Sequence, residues 1–259
     1  ARVHLRERLM KVTLIDYTRD AMSLLLRTKN TRLTEVSDPD TWDDEKRQAE
    51  LDYMRDTIKS SWEFVDFTFE IEGVTRAFTH QLVRTRTGSY AQQSMRAADF
   101  SAADVVMPGQ DNNLASLIVW AAAANRVQMA YTDMVALGMS LQDARGILPI
   151  NVSNNIIAKF NLRTLHEMAK VRLCTRTQGE YQEVFRAMRQ AVIDLYPWTS
   201  DFLDVHCVAT GTCAFPRYGK TSCPVYLPEM DVTETKRKAA AVFWAIRHEA
   251  DPAAGKVVK

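Results

Sequence analysis

Two arginines one residue apart, Arg84 and Arg86, lead the stretch "RTRTGSYAQQS" into a run of small hydroxyl and amide side chains. A guanidinium is a planar fork that matches phosphate oxygens two at a time, so such a pair fixed at the end of an element could bind a phosphomonoester or a diphosphate. Ser89, Gln92, Gln93 and Ser94 would then offer neutral donors and acceptors to a sugar or a base. Composition alone leaves a second reading open, in which both arginines are a solvated helix end that complements the macrodipole.

Other chemistry is missing. The chain has neither a Gly-x-Ser-x-Gly elbow nor a P-loop, and no Gly-x-Gly-x-x-Gly dinucleotide fingerprint. None of the four cysteines, Cys174, Cys207, Cys213 and Cys223, stands in an activating sequence setting, so an enzyme built this way would leave the hard step to a cofactor. His206, Cys207, Cys213 and Cys223 are soft ligands, but their spacings match no common zinc module. Packed thiols and no metal are expected there.

The elements that would position the arginines follow from periodicity. "KVTLIDYT" reads as a first strand and "DAMSLLLRT" as a helix starting near Asp20. Residues 37–59 read as a second helix, with Trp42, Leu51, Met54 and Ile58 at mostly helical spacing. "FVDFTFEIEG" alternates Val65, Phe67, Phe69 and Ile71 with polar residues, the period of a half-buried strand, and Gly73 is expected to end it. Val74, Phe78 and Leu82 recur every four residues, so 74–86 reads as a helix whose last turn delivers the two arginines into a loop, with Gln81 and Arg84 on one face. A long apolar helix over 111–138, a short one over 140–149, and further helices over 161–174 and 180–196 complete the series. A stretch rich in Gly, Pro and Cys begins near residue 204, and a charged helix is expected over 231–250. The predicted class is α+β, a small, mainly antiparallel sheet with several long helices. The predicted division is a catalytic domain over 1–203 and an extension over 204–259.

The formal charge of +1, with 25% charged residues, excludes the broad basic surface of a general nucleic-acid binder. No apolar run reaches the roughly 20 residues of a membrane-spanning helix, and the first residues lack the pattern of a secretory signal, so a cytoplasmic location is expected.

Several separated motifs, in order, resemble the flavin-dependent thymidylate synthases. Arg84, Thr85, Arg86 and Ser94 stand in the spacing of that family's signature, with Thr85 where the family normally has His. "SSWEFVDFTFEI" is similar to the segment before the family's strand, with Glu63 kept, and "ARGILPIN" and "NLRTLHEMAKVRLCTRTQGEYQE" are similar to its later substrate-binding segments. The resemblance covers roughly residues 10 to 200. It implies that Arg84, Thr85 and Arg86 lie against FAD, with Ser60 and the segment from Asn161 to Arg163 contacting it from other parts of a homotetramer. Glu167 falls where the family often has a flavin-contacting Asn. Gln81, Arg84, Gln93, Ser94 and Arg96 would hold a pyrimidine deoxynucleotide monophosphate, with Arg145 near its phosphate. Gln92, in place of a frequent Glu, would sit where flavin and pyrimidine meet. Arg172 matches the arginine that polarises the pyrimidine ring and is the expected catalytic residue. Arg163 and Glu167 could also form an exposed i,i+4 ion pair, whereas Arg172, beside the core-facing Met168 and Val171, needs a partner.

The implied reaction is C5 methylation of dUMP, with methylenetetrahydrofolate as one-carbon donor, reduced FAD as hydride source and NADPH as reductant. Thr85 and Gln92 leave two alternatives open. One is C5 hydroxymethylation of dUMP or dCMP on the same scaffold, and the other is a catalytically silent nucleotide- or flavin-binding protein.

Overall fold

The computed structural model describes residues 10–31, 38–57, 59–107 and 113–224, so the charged helix expected over 231–250 lies outside the described residues. Four strands, β1 (Lys11–Tyr17), β2 (Asp66–Thr75), β3 (Ser89–Gln92) and β4 (Ser153–Asn161), form one antiparallel sheet in the order β1-β2-β4-β3. The helices are α1 (Ala21–Asn30), α2 (Asp44–Asp56), α3 (Arg76–Leu82), α4 (Leu114–Ala136), α5 (Leu141–Ala144), α6 (Leu162–Arg172), α7 (Gly179–Leu195), α8 (His206–Thr210) and α9 (Pro216–Ser222). A small antiparallel sheet among helices is the architecture expected from the sequence.

The alternation read in β2 holds: Val65, Phe67, Phe69 and Ile71 are fully buried. They join Trp62, Leu25, Leu26, Leu51, Met54 and the inner faces of α6 and α7 in the main core. Each such side chain contributes on the order of 2 kcal/mol by leaving water. A smaller core of Phe100, Tyr131, Ala144 and Val152 packs α4 and α5 together. Beyond residue 203, Val205 and Val208 still bury in the main core.

Gly73 does not end the strand. It adopts φ 68, and the register of β2 against β4 shifts between Ile71 and Val74, so the glycine makes a bulge and pairing resumes to Thr75. The helix expected over 74–86 is accordingly shorter. Val74 and Thr75 belong to β2, Thr75 caps α3 by accepting from the Phe78 amide at 3.0 Å, and the helix stops at Leu82. Arg84 and Arg86 therefore lie past its end, and Gln81 and Arg84 do not share a helical face. The loop expected after them contains the edge strand β3. The helix expected over 37–59 is a 310 turn at Pro39–Thr41 followed by α2, which Asp43 caps through the Lys46 amide at 2.8 Å.

β4 was not expected. Its buried positions are Asn154, Ile156, Ala158 and Phe160, while Ile157 faces outward. A polar residue inside and an isoleucine outside blur the period of two that would have revealed it.

Candidate active site

The strand β4 runs directly into α6, and Asn161 at the junction caps the helix by accepting from the Thr164 amide at 2.8 Å. Along this helix lies a cavity of about 720 Å³ lined by Glu63, Thr85, Thr87, Asn161, Arg163, Thr164, Glu167, Met168, Val171 and Arg172. The eleven residue steps from Asn161 to Arg172 span roughly 16 Å at the helical rise. The helix N-terminus, with its partial positive charge, opens at one end of the cavity, and the Arg172 guanidinium stands at the other.

Five of the expected site residues thus meet around one space: Thr85, Asn161, Arg163, Glu167 and Arg172. The alternative i,i+4 pair between Arg163 and Glu167 does not form. Arg163 instead binds Glu63, 100 residues earlier in the chain and also lining the cavity. Glu167 takes Lys170 at 2.9 Å and lies 4.0 Å from Lys59. Burial raises the Glu167 carboxyl, but the bond and charge of Lys170, with the charges of His166 and Lys59, outweigh it and leave the group below its usual range. Behind it, His166 accepts from or donates to its neighbours at both ring nitrogens, with Nδ1 2.6 Å from the Phe202 carbonyl and Nε2 3.0 Å from Lys59 Nζ. Burial pushes the imidazole down to about 4. It is neutral at pH 7, which fits Nδ1–H donating to Phe202 and Nε2 accepting from the ammonium.

Arg172 has its partner, though not a carboxylate: the guanidinium carbon lies 4.3 Å from the centre of the Tyr181 ring. Of its two neighbours expected in the core, Met168 is buried and Val171 is exposed.

Thr85 is held by the turn that ends α3. Its carbonyl accepts from the Gly88 amide at 3.0 Å and from the Tyr90 hydroxyl at 2.6 Å, and its own amide bonds Leu82. The Tyr90 ring meets Phe160 edge to face, and a Cβ on Gly88 would fall 2.5 Å from Phe160 and 2.6 Å from the Tyr90 oxygen. Only glycine lets the turn pass this close to the rings.

The remaining expected residues lie outside this cavity. Ser60, Arg84 and Arg86 are exposed. Gln92 turns inward and donates to Thr79 at 2.6 Å and Asn154 at 2.8 Å, using both amide hydrogens within the protein. Gln81 bonds Gln178 at 2.6 Å, and Gln93 exchanges bonds with Asn155. Arg96 and Arg145 converge on Gln142, Arg96 donating to its side chain and Arg145 to its carbonyl, each at 3.1 Å. Exposed Ser94 accepts from the Arg96 amide. Gln142 and Gln178 were not anticipated, because nothing local marks a glutamine whose partner is distant in the chain.

No cysteine lines the cavity. Cys174 and Cys207 pack against the main core, where burial raises both thiols, Cys207 to about 11. Among the described residues, no three His, Cys, Asp or Glu side chains are arranged to hold a metal ion, and no helix is long and apolar enough to cross a membrane.

The family model described as thymidylate synthase complementing protein matches residues 13–198. The flavin-dependent thymidylate synthase of Nitratidesulfovibrio vulgaris is 35% identical over 173 residues, covering 63% of this chain and 70% of that protein. That of Pyrococcus abyssi is 32% identical over 228 residues, covering 79% and 89%. Among solved structures, a UMP/dUMP methylase, PolB, from Streptomyces cacaoi bound with 5-Br dUMP superposes with a TM-score of 0.64 at 18% identity, over 74% of this chain and 94% of that one.

Proposed function

From the premise that the chain belongs to the thymidylate synthase complementing protein family, we propose that it methylates C5 of dUMP in a flavin-dependent reaction, with methylenetetrahydrofolate as the one-carbon donor. The observation that carries this reading is the cavity along α6, with a cation at one end, a helix N-terminus at the other, and no thiol among its walls.

The residues present fit a flavin. Met168 and Val171 supply apolar wall, the α6 N-terminus favours anionic groups, with Arg163 available to them if it exchanges Glu63 for the ligand, and about 720 Å³ is the scale of a cofactor site. Thr85, Asn161, Arg163 and Glu167 would hold it. Bound and reduced, with NADPH as the source of electrons, it would supply the hydride that completes the methyl group.

Pyrimidine C5 is a weak nucleophile until electron density is pushed into the ring. In this proposal Arg172 faces a ring carbonyl and stabilises the enolate-like charge as C5 attacks the methylene carbon, so no cysteine adduct is needed. Gln81, Gln92, Gln93, Ser94, Arg96 and Arg145 hold the nucleotide, with the Arg96–Gln142–Arg145 group at its phosphate. Exposed Ser60, Arg84 and Arg86 serve a site shared with other copies of the chain.

That sharing needs an oligomer, and the assembly in this proposal is a homotetramer. Its support is α4, which exposes Leu114, Ile118, Val119 and Met129, more apolar surface than a solvent-facing helix carries.

The test is an Arg172→Ala variant. It should lose about 100-fold or more in kcat while flavin content stays within twofold of the unchanged protein. Equal turnover by the variant would remove Arg172 from the chemistry. A second reading rests on Thr85. Where the family has an imidazole the cavity wall has a small hydroxyl, leaving room for water to capture the exocyclic methylene as a hydroxymethyl group.

A further inference from the structure

Tyr181 is the third residue of α7, fully buried, and lies behind the cavity wall without lining it. Phe78 meets its ring edge to face at 5.1 Å and 85°, which fixes the plane of the ring from α3. The Arg172 guanidinium stands 4.3 Å from the ring centre. The phenol oxygen is buried without a hydrogen-bond partner. Thr85 and Arg172 both act on it electrostatically, although neither is aligned as a hydrogen bond. One rigid side chain therefore touches the cation at the end of α6 and brings its phenol oxygen near Thr85.

We propose that Tyr181 is the positioning residue for Arg172: the ring face seats the guanidinium and aims it into the cavity without neutralising it. A carboxylate could fix the same arginine, but it would cancel the charge that a developing enolate needs. A ring quadrupole attracts the cation and leaves its formal charge intact. Among the described residues Arg172 makes no ion pair, and its recorded partner is this ring. Phe78 of α3 and Tyr181 belong to the same buried core, so the ring that seats the guanidinium is itself held by buried aromatic contact.

The inference rests on Arg172 being the ring-polarising cation of the proposed reaction, and the experiment separates the two claims. Full-length protein carrying Tyr181→Phe, Tyr181→Leu, or a series of phenylalanines with increasing ring fluorination at position 181 is assayed for dUMP turnover, in the Arg172 and Arg172→Gln backgrounds. Fluorination weakens the ring quadrupole with little change of shape, so it remains informative if the leucine variant folds poorly. Tyr181→Phe should keep kcat within about threefold, and kcat should fall stepwise with fluorination, by about 3- to 30-fold, with KM for dUMP changing less. In the Arg172→Gln background, which leaves the ring no cation to attract, the same series should be flat, because the two residues act as one unit. Equal losses in both backgrounds, or a Phe variant as impaired as the Leu variant, would overturn the inference while leaving the reaction in place. Unchanged protein that forms no product from any pyrimidine nucleotide would overturn the proposed reaction and this inference with it.

Discussion

Arg172 and Thr85 line the same cavity, and in the proposed reaction residue identity at these two points decides the product. Restoring an imidazole with Thr85→His tests the hydroxymethyl reading. If water uses the space beside Thr85, the histidine variant should shift product toward the methyl compound by about tenfold, read as the ratio of the two nucleotide masses. An unchanged ratio would show that Thr85 does not govern the final step.

His166 gives a prediction of stability against pH. Its ring is buried and held neutral, with the pKa down from 6.5 to about 4, among Lys59, Glu167 and Lys170. Between these values the unfolded chain takes up a proton that the fold refuses. The stabilisation is therefore whole above about pH 6.5 and is lost as pH falls toward 4, by at most roughly 3 kcal/mol. Urea midpoints should fall across that window, and a His166→Gln protein should show a flatter profile. Matching slopes for both proteins would place the acid sensitivity elsewhere.

At the scale of elements, the site depends on how α3, α6 and α7 are tied together. Glu180, buried at the start of α7, accepts from the Thr75 amide at 2.8 Å and also from the Thr75 hydroxyl, fixing the point where β2 becomes α3. Glu180→Gln replaces an acceptor-only group with one that turns a donor toward the same hydrogens. The unfolding free energy should fall by about 1–3 kcal/mol, measurable by urea titration, and a neutral effect would mean that the clamp carries no weight. Gly88→Ala should likewise lower stability by about 1–3 kcal/mol, because Phe160 and Tyr90 must move to admit the methyl group.

The sequence made some of these elements legible and hid others. β2 and α6 were readable because their apolar periods are clean over many residues. Val74, Phe78 and Leu82 recur every four residues, yet the bulge at Gly73 carries the strand through Thr75, so a periodic pattern gave the wrong start for α3. β4 was hidden by buried Asn154 and exposed Ile157. Thr85 and the helix bearing Arg163 and Arg172 could be named in advance as parts of the candidate site, and they line the cavity, whereas Arg84, Arg86 and Ser94 lie outside it. The Glu63–Arg163 bridge and the Tyr181–Arg172 contact could not be named in advance, since each joins residues whose proximity only the fold creates.

For the whole molecule, α4 is the feature that a single chain leaves unexplained. Its apolar sequence reads as a core helix, yet among its residues only Ala124, Gln128 and Tyr131 are buried, and Ile118 and Val119 are 60% and 70% exposed. Assembly as a tetramer would cover that surface. Light scattering on the purified protein should give four times the chain mass, and Val119→Glu should lower it. A monomer at micromolar concentration would contradict the shared sites assigned to Ser60, Arg84 and Arg86.

Mass spectrometry of the nucleotide formed from dUMP, with flavin, NADPH and methylenetetrahydrofolate supplied and dCMP run in parallel, tests the central claim most directly. The account predicts a product heavier than dUMP by one CH2 group and no product from dCMP. Flavin-loaded protein that leaves both nucleotides unchanged would contradict it.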